Sequence, residues 1–231
     1  MSEFIFMLTH NDATVPDAIA VWRQLAETDV RYVGFKDVGI KPEARRALIE
    51  AIHESGRPVM LEVVSESLDA ELRCAEAAAS LGVEYLLGGV HVAEVVPLLD
   101  GTAVRYLPFV GRPGGHPVRL QGTVEEIVAS ARSLAGVPAV AGVDLLAYRH
   151  EADPEAVAAG VIDAIDLPVV IAGSVDSEQR VRRICELGAW AFTVGSALFD
   201  GGFGPPGATL AERASALLDF TDALSGVRVD G

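Results

Sequence analysis

The sequence alternates along its length between short apolar runs rich in β-branched residues and longer amphipathic segments. Apolar runs of this length are typical of strands buried on both faces of a parallel sheet, and the segments between them are typical of covering helices. Eight strands separated by helices are the count of a (β/α)8 barrel, so the pattern predicts an α/β fold of this kind. The predicted strands span residues 4–8, 32–35, 59–64, 84–87, 104–110, 143–147, 168–172 and 190–194.

An open, doubly wound sheet is the alternative that the same alternation allows. Such a sheet usually carries a glycine-rich loop after its first strand, whereas this chain has Thr9-His-Asn-Asp12 there. The closed barrel is therefore favoured. Because half of the 231 residues are hydrophobic, the chain has enough apolar material for one large core, and we expect residues 1–231 to form a single domain.

The net charge of −15 excludes several classes of partner. A chain this acidic is unsuited to binding nucleic acid or an anionic membrane, and an anionic ligand would need a local positive site. Cys74 and Cys185 fall at apolar positions of predicted helices, which indicates core residues and no disulfide. The first residues contain neither a basic region nor an apolar run long enough for a signal peptide, so we expect a cytoplasmic protein.

Two Gly-Ser pairs follow the last two predicted strands. Gly173-Ser174 ends the seventh strand, and Gly195-Ser196 ends the eighth, just before the short apolar segment 197–199. Glycine allows close approach of the backbone, the serine hydroxyl adds a hydrogen-bond donor, and a phosphate site commonly follows strands 7 and 8 of a barrel. Each pair is also compatible with an ordinary turn between a strand and a helix, but two of them in neighbouring units favour a phosphate site.

Lys36 directly follows the second predicted strand. In a barrel this position lies at or just inside the catalytic rim, where loss of hydration would lower the pKa of a lysine. Lys36 would then be a proton donor, a Schiff-base amine or an electrostatic clamp on an oxyanion. The alternative is a structural ion pair with Glu62 or Asp37.

Glu62 and His91 are the other two catalytic candidates. Glu62 lies within the apolar third strand, so its carboxylate either points into the barrel beside Lys36 or forms a buried structural pair. His91 follows Gly88-Gly89-Val90 and is either a general acid or base at the mouth or a capping or solvated residue. Asp144 falls at the start of the predicted sixth strand, at the end opposite the active site, and is not a candidate.

Further polar residues at the strand ends are candidates for substrate contact. The first strand ends near Thr9, Asn11 and Asp12, and a Gly/Pro-rich loop at 111–117 carries Arg112 and His116. Metal-binding histidine spacings are absent from the sequence, and we expect neither a metal nor another cofactor. The predicted substrate contacts are Thr9, Asp37, Arg112, Tyr148 and Arg149.

The segments Pro168-Val-Val-Ile-Ala-Gly-Ser174 and 187–198 resemble the C-terminal quarter of the ribulose-phosphate-binding barrels. This superfamily includes isomerases and cyclases of histidine synthesis, barrels of the tryptophan pathway and N-acylmannosamine-phosphate epimerases. The resemblance implies a (β/α)8 barrel in which Gly173, Ser174, Gly195 and Ser196 hold a substrate phosphate. The histidine-pathway enzymes place aspartates at the ends of strands 1 and 5, where this chain has Thr9 and Pro108-Phe109, so their reaction is not implied.

These observations predict an enzyme that acts on a small phosphorylated, sugar-like metabolite. Lys36 and Glu62, assisted by His91, would move a proton next to a carbonyl, as in an isomerase or epimerase. A Schiff-base aldolase or lyase with Lys36 as nucleophile is the first alternative. A barrel that binds a phosphorylated metabolite without catalysis is the second, and barrels of this group often form homo-oligomers.

Overall fold

The computed structural model describes residues 2–115, 118–151 and 153–226. Within them, eight parallel strands form one sheet. The strands are β1 Glu3–Met7, β2 Tyr32–Lys36, β3 Val59–Val63, β4 Tyr85–Gly88, β5 Arg105–Leu107, β6 Val143–Leu145, β7 Val169–Ile171 and β8 Ala191–Val194. Their order in the sheet is β6-β7-β8-β1-β2-β3-β4-β5, and the bridges Tyr106–Val140 and Phe109–Asp144 bring the two ends together. The predicted (β/α)8 barrel is therefore confirmed.

Helices follow the strands and cover the outside of the sheet. The sequence predicts helix caps at Ser67, at Asp153 and at Asp176 or Ser177, and a capping box at Thr123 and Glu126. In the structure Ser67, Asp153 and Ser177 each accept a hydrogen bond from a backbone N–H of the first turn. Thr123 and Glu126 form the predicted capping box. The helices are α1 Ala18–Leu25, α2 Pro42–His53, α3 Leu68–Leu81, α4 Val92–Leu99, α5 Val124–Ala135, α6 Pro154–Ala164, α7 Glu178–Leu187, α8 Ser196–Phe199 and α9 Leu210–Gly226, with a 3₁₀ turn at Ala147–Arg149.

β5 and β6 end three and two residues earlier than the sequence predicts. β5 ends at Leu107, and the next residue, Pro108, has no N–H to continue the ladder. β6 ends at Leu145, because the chain then turns into the 3₁₀ turn that carries Arg149.

Two short hairpins lie at the carboxyl ends of the strands. Thr9–His10 pairs with Ala13–Thr14, and Arg112–Gly114, which lies in the segment 111–117 expected to be a loop, pairs with Arg119–Gln121. His116, a candidate on that segment, lies outside the described residues. The sequence also predicts Thr14, two residues before Pro16, as the cap of α1, and this prediction is wrong. Its hydroxyl donates to Lys36 O at 2.7 Å and accepts from Lys36 N at 2.9 Å, whereas α1 begins only at Ala18.

The interior of the barrel is apolar in its lower part, at the amino ends of the strands, and polar in its upper part, at their carboxyl ends. Apolar and aromatic side chains fill its lower part, where the rings of Tyr32, Tyr85 and Trp190 pack on one another. Successive side chains of a strand point to opposite faces, and Val143 and Leu145 belong to the core between sheet and helices. Asp144 therefore points into the barrel. Polar side chains at the upper level of the interior are Lys36, Glu62, Asp144 and Thr193.

No helix in the described part of the chain combines the length and the apolar character that a membrane span requires.

Candidate active site

A cavity of about 280 Å³ opens at the carboxyl ends of the strands. It brings together residues from the beginning, middle and end of the chain, as expected for the catalytic end of a barrel. Asp12, from the turn of the first hairpin, is also part of its wall. The predicted site residues that line the cavity are Thr9, Lys36, Glu62, Arg149, Gly173, Ser174, Gly195 and Ser196.

Lys36 lies at the inner end of this cavity with only 8% of its side chain exposed. Its Nζ is 2.9 Å from Asp12 Oδ1 and 3.9 Å from Glu62 Oε1. Thr14 holds the Lys36 backbone on both sides, so the side chain projects from a rigid strand end. The structural alternative of a pair with Asp37 is not observed, because the Asp37 carboxylate is committed elsewhere.

Asp12 joins the two cations of the site. Besides Lys36, it accepts hydrogen bonds from Arg149, with Nη1 donating to Oδ2 at 2.8 Å. Burial acts to raise the pKa of Asp12, but the bonds and charges of Arg149 and Lys36 outweigh burial and hold it well below its usual range. Asp12 is thus a fixed carboxylate. The sequence showed it only as part of a polar strand end, because its partners lie 24 and 137 positions away.

The pKa values of Glu62 and Asp144 are shifted in the opposite direction from that of Asp12. Glu62 is 3% exposed, and burial raises its pKa although Lys36 and Arg149 act against the rise. Asp144 is fully buried, and burial together with the charge of Glu62 raises its pKa well above the usual value. The interpretation of Asp144 as a residue of the opposite end is wrong. The short β6 places it high inside the barrel, close enough to Glu62 to interact electrostatically.

The two Gly-Ser turns form one side of the cavity. Gly173 and Ser174 both have positive φ, 73° and 57°, and Gly195 lies so close to Thr9 that an added Cβ would be 2.5 Å from Thr9 Oγ1. Only glycine tolerates such an approach without displacement. Ser196 begins α8 and accepts a hydrogen bond from the backbone N–H of Asn11 at 3.0 Å. The turn at Gly195 and Ser196 is therefore tied to the first hairpin, which also carries Asp12.

The charge of the cavity differs from that of the whole protein. Lys36 and Arg149 contribute two positive charges and Asp12 one fixed negative charge, and burial raises the pKa of both Glu62 and Asp144. The interior of the cavity can thus attract an anion in a protein of net charge −15.

Two further carboxylates line the outer part of the cavity, and each has its own partner. Asp176 lies 2.8 Å from Arg180 and Asp200 lies 2.9 Å from His10. The ion pair with Arg180 reduces the repulsion that the Asp176 carboxylate would exert on an entering anion.

The structure does not bring His91 into this cavity. Its Nδ1 lies 2.7 Å from Oε2 of Glu71, a buried side chain that also accepts hydrogen bonds from the backbone N–H groups of Val90 and His91. His91 lines a different cavity, of about 320 Å³, beside the second hairpin. Gly89 has no room for a Cβ because Glu71 fills that space. Gly89 therefore serves this contact, whereas a Cβ at Gly88 would meet Val63 O and the Phe109 ring.

The other predicted contact residues have varied surroundings. Asp37 braces the end of β3, because its carboxylate accepts hydrogen bonds from Val64 N at 2.8 Å and from the Ser65 hydroxyl. Arg112 is largely exposed and pairs with Glu126 at 3.2 Å.

Tyr148 lies beside the active-site cavity. Its ring packs under the guanidinium of Arg180 at 4.9 Å. It lines a cavity of about 290 Å³ that shares Asp12, Arg149, Ser174 and Ser196 with the one around Lys36.

Among the residues that the structure describes, no cluster of three or more histidine, cysteine or acidic side chains has the arrangement of a metal site. The chemistry that these residues can perform themselves is acid–base and electrostatic.

Comparison with known proteins supports the fold. Neither a protein-family model nor a curated protein matches the sequence. Solved structures do match: orotidine 5′-phosphate decarboxylase from Pyrococcus horikoshii has a TM-score of 0.67 at 15% identity, over 95% of this chain and 99% of that one. Tryptophan synthase from M. tuberculosis has a TM-score of 0.65 at 17% identity, over 98% and 93%. Native KDPGal has a TM-score of 0.63 at 14% identity, over 96% of both chains.

These neighbours are (β/α)8 barrels. The barrel fold that the C-terminal resemblance to the ribulose-phosphate-binding barrels implied is confirmed.

Proposed function

We propose that this protein is an enzyme that acts on a small phosphorylated, sugar-like metabolite by moving a proton at a carbon next to a carbonyl group. The observation that carries the proposal is the contact set of Lys36, whose Nζ lies between Asp12 at 2.9 Å and Glu62 at 3.9 Å in a cavity edged by two Gly-Ser turns. An isomerase or epimerase needs these parts: an anchor for phosphate, a base and a group that stabilises an enolate.

Glu62 is the base in this proposal. Burial raises the pKa of Glu62, which makes its carboxylate a stronger proton acceptor than an exposed glutamate. It takes a proton from the carbon next to the carbonyl, and the electron pair of the broken C–H bond moves to the carbonyl oxygen. In an isomerase, the protonated Glu62 returns the proton to the former carbonyl carbon, while the hydroxyl proton of the enediolate moves to the former carbonyl oxygen and the electron pair left on the hydroxyl oxygen forms the new carbonyl. In an epimerase, the enolate turns and Glu62 returns the proton to the other face of the same carbon.

Lys36 stabilises the oxyanion that forms in this step. Its ammonium group is held by Asp12, and a charged donor fixed before the reaction needs little rearrangement as negative charge develops. An ammonium group paired with a carboxylate has no free electron pair to attack a carbonyl. This ion pair favours proton transfer over the Schiff-base alternative.

The phosphate anchor is the second part of the proposal. Gly173, Ser174, Gly195 and Ser196 line the cavity that contains Lys36 and Glu62, so one small ligand can reach both. The names of the structural neighbours agree with such a ligand, since one of them is a decarboxylase of orotidine 5′-phosphate.

Proton exchange in D₂O tests the reaction. A panel of phosphorylated ketoses and aldoses is incubated with the protein, and deuterium uptake next to the carbonyl is followed by NMR, with the unphosphorylated sugars as matched controls. We expect uptake with at least one phosphorylated compound and none with its unphosphorylated counterpart. No exchange with any compound of the panel would contradict the proposal.

Borohydride reduction separates proton transfer from the lyase alternative. The same panel is treated with borohydride in the presence of the protein, and Lys36 is examined by mass spectrometry. We expect no adduct on Lys36. A reduced adduct that disappears in Lys36→Met but not in Lys41→Met, a control at an exposed lysine, would establish the Schiff-base reaction instead.

A further inference from the structure

Asp144 is a buried acid that the steps above do not use. It is 0% exposed, and neither carboxyl oxygen has a hydrogen-bond partner among the residues that the structure describes. Burial of a charged group without a partner is costly, and such sites are usually retained for a reason other than stability.

The backbone fixes Asp144 in this position. Asp144 N donates to Pro108 O at 2.9 Å, and Asp144 O accepts from Val110 N at 3.0 Å. The residue is thus bonded on both sides to the segment that follows β5. Because the alternation along β6 directs its side chain into the barrel, the carboxyl group cannot turn to solvent without breaking this closure of the barrel.

The charged groups that face Asp144 come from three elements: Glu62 on β3, Lys36 on β2 and Arg149 on the 3₁₀ turn. Both cations are engaged by Asp12, Lys36 at 2.9 Å and Arg149 at 2.8 Å, and neither forms an ion pair with Asp144 in the described structure. Glu62 adds a like charge when it ionises. A carboxyl group in these surroundings keeps its proton.

We propose that Asp144 and Glu62 form a carboxyl pair beneath the cavity, in which Glu62 exchanges protons with the ligand and Asp144 stays protonated. Glu62 lines the cavity and has Lys36 Nζ at 3.9 Å, so it ionises first, and its charge then holds the proton on Asp144. Asp144 acts through Glu62 and is a positioning residue. The role in catalysis rests on the proposed function, but the existence of the pair does not.

The pair has a consequence for the pH dependence of the reaction. During the cycle Glu62 accepts one proton from carbon and gives it back, while the proton on Asp144 does not move. The pair therefore carries no more than one negative charge. When Asp144 loses its proton at high pH, a second charge appears beside Glu62, and we expect activity to fall.

Carboxyl ¹³C NMR titration tests the pair without a substrate. The protein is labelled at the aspartate and glutamate carboxyl carbons and compared with Asp144→Asn and Glu62→Gln. We expect one aspartate signal, absent from Asp144→Asn, to titrate far above the usual aspartate range. In Glu62→Gln its midpoint falls by about one pH unit or more, because the coupled charge is gone.

An Asp144 signal with an ordinary aspartate midpoint, or with the same behaviour in Glu62→Gln as in the unaltered protein, would overturn the proposal. If Asp144→Asn does not fold, the signal is identified as the aspartate resonance whose midpoint moves in Glu62→Gln, and the absence of any such resonance is again a negative result. A coupled pair in a protein without proton-exchange activity would refute the proposed function alone.

Once a substrate is known, the pH profile of kcat separates positioning from a merely structural role. Asp144→Asn keeps the acid limb, which belongs to Glu62, and loses the fall at high pH. A variant that is less stable but has both limbs unchanged would show that Asp144 does not act through Glu62.

Discussion

At the scale of single residues, Asp12 determines the charge pattern of the cavity. By binding both Lys36 and Arg149 it fixes the two cations in place; Glu62 has only the longer contact with Lys36 at 3.9 Å, and Asp144 has no direct counter-ion among the described residues. Asp12 thus has a lowered pKa through these two cations, whereas burial raises the pKa of Glu62 and of Asp144. Pairs of carboxyl groups with opposite pKa shifts are a common basis for assigning acid and base roles.

The first residue-scale prediction concerns Glu62. Glu62→Gln keeps the shape of the side chain but removes the base, so deuterium exchange should fall by about 10²- to 10⁴-fold. Glu66→Gln is the matched control and should retain nearly full activity. Glu66 is exposed and lines the cavity beside the second hairpin, not the one around Lys36. Equal losses in the two variants would show that Glu62 has no special role.

His91 offers a comparison between two sites. His91→Gln changes the cavity beside the second hairpin but not the contacts of Lys36 and Glu62, so we expect a loss of exchange well below that of Glu62→Gln. The rate of deuterium uptake measures both. A loss as large as that of Glu62→Gln would restore His91 to the catalytic group that the sequence predicted.

Asp144 also affects stability in a pH-dependent way. Because its folded-state pKa is raised, the folded protein retains a proton that the unfolded chain releases above about pH 4. The stability that this proton provides is complete below the unfolded-state pKa and is lost as the pH rises towards the folded-state pKa, by up to about 1.4 kcal/mol per pH unit.

Asp144→Asn removes this pH dependence. Relative to the unaltered protein, the variant should therefore gain stability between pH 5 and pH 8, measured by denaturant unfolding at each pH. A difference between the two proteins that is constant with pH would contradict a protonated Asp144.

The sequence indicated the roles of some site residues more clearly than those of others. A lysine that follows an apolar run and a glutamate within one are conspicuous, and the structure places Lys36 and Glu62 in the same cavity. Asp12 and Asp144 were harder to assign, since the role of each depends on partners far away in sequence. For Asp144 the error came from strand length: β6 has three residues, so an apparent strand start lies near the upper end of the barrel.

At the scale of elements, the turn from β8 to α8 joins the phosphate anchor to the first hairpin. Gly195→Ala would place a Cβ 2.5 Å from Thr9 Oγ1, so the turn or the hairpin must move. We expect inorganic phosphate to bind about tenfold more weakly, measured by calorimetry. Gly114→Ala is the control, because its Cβ would make only an ordinary contact at 3.6 Å, and it should bind phosphate normally. Normal binding by a folded Gly195→Ala would argue against an anchor at this turn.

The sequence predicted the starts of helices well where residues within one helical turn determine them. The caps at Ser67, Thr123 and Asp153 depend on residues within one helical turn, and the structure shows each of them. Thr14 also has the residue type of a cap. Its hydroxyl instead satisfies the backbone of Lys36, a tertiary contact that no local pattern contains.

At the scale of the whole molecule, the barrel was predictable because its signal is repeated eight times along the chain. One ambiguous strand does not alter such a count, and the hydrophobic alternation reports burial on both faces directly. The arrangement of the hairpins over the barrel mouth has no comparable repeat. The division of the mouth into separate cavities, with His91 in one and Lys36 in another, therefore emerges only from the structure.

The net charge of the whole molecule also affects the binding of an anionic ligand. A protein of charge −15 repels anions at long range, so phosphate binding requires the local excess of positive charge around Lys36 and Arg149. Amide NMR of the protein titrated with inorganic phosphate tests this directly. We expect saturable shifts confined to the amides of residues 173–174 and 195–196 and their neighbours, and much weaker binding in Lys36→Met. Shifts absent from both turns, or equal binding in Lys36→Met, would contradict a phosphate-anchored active site.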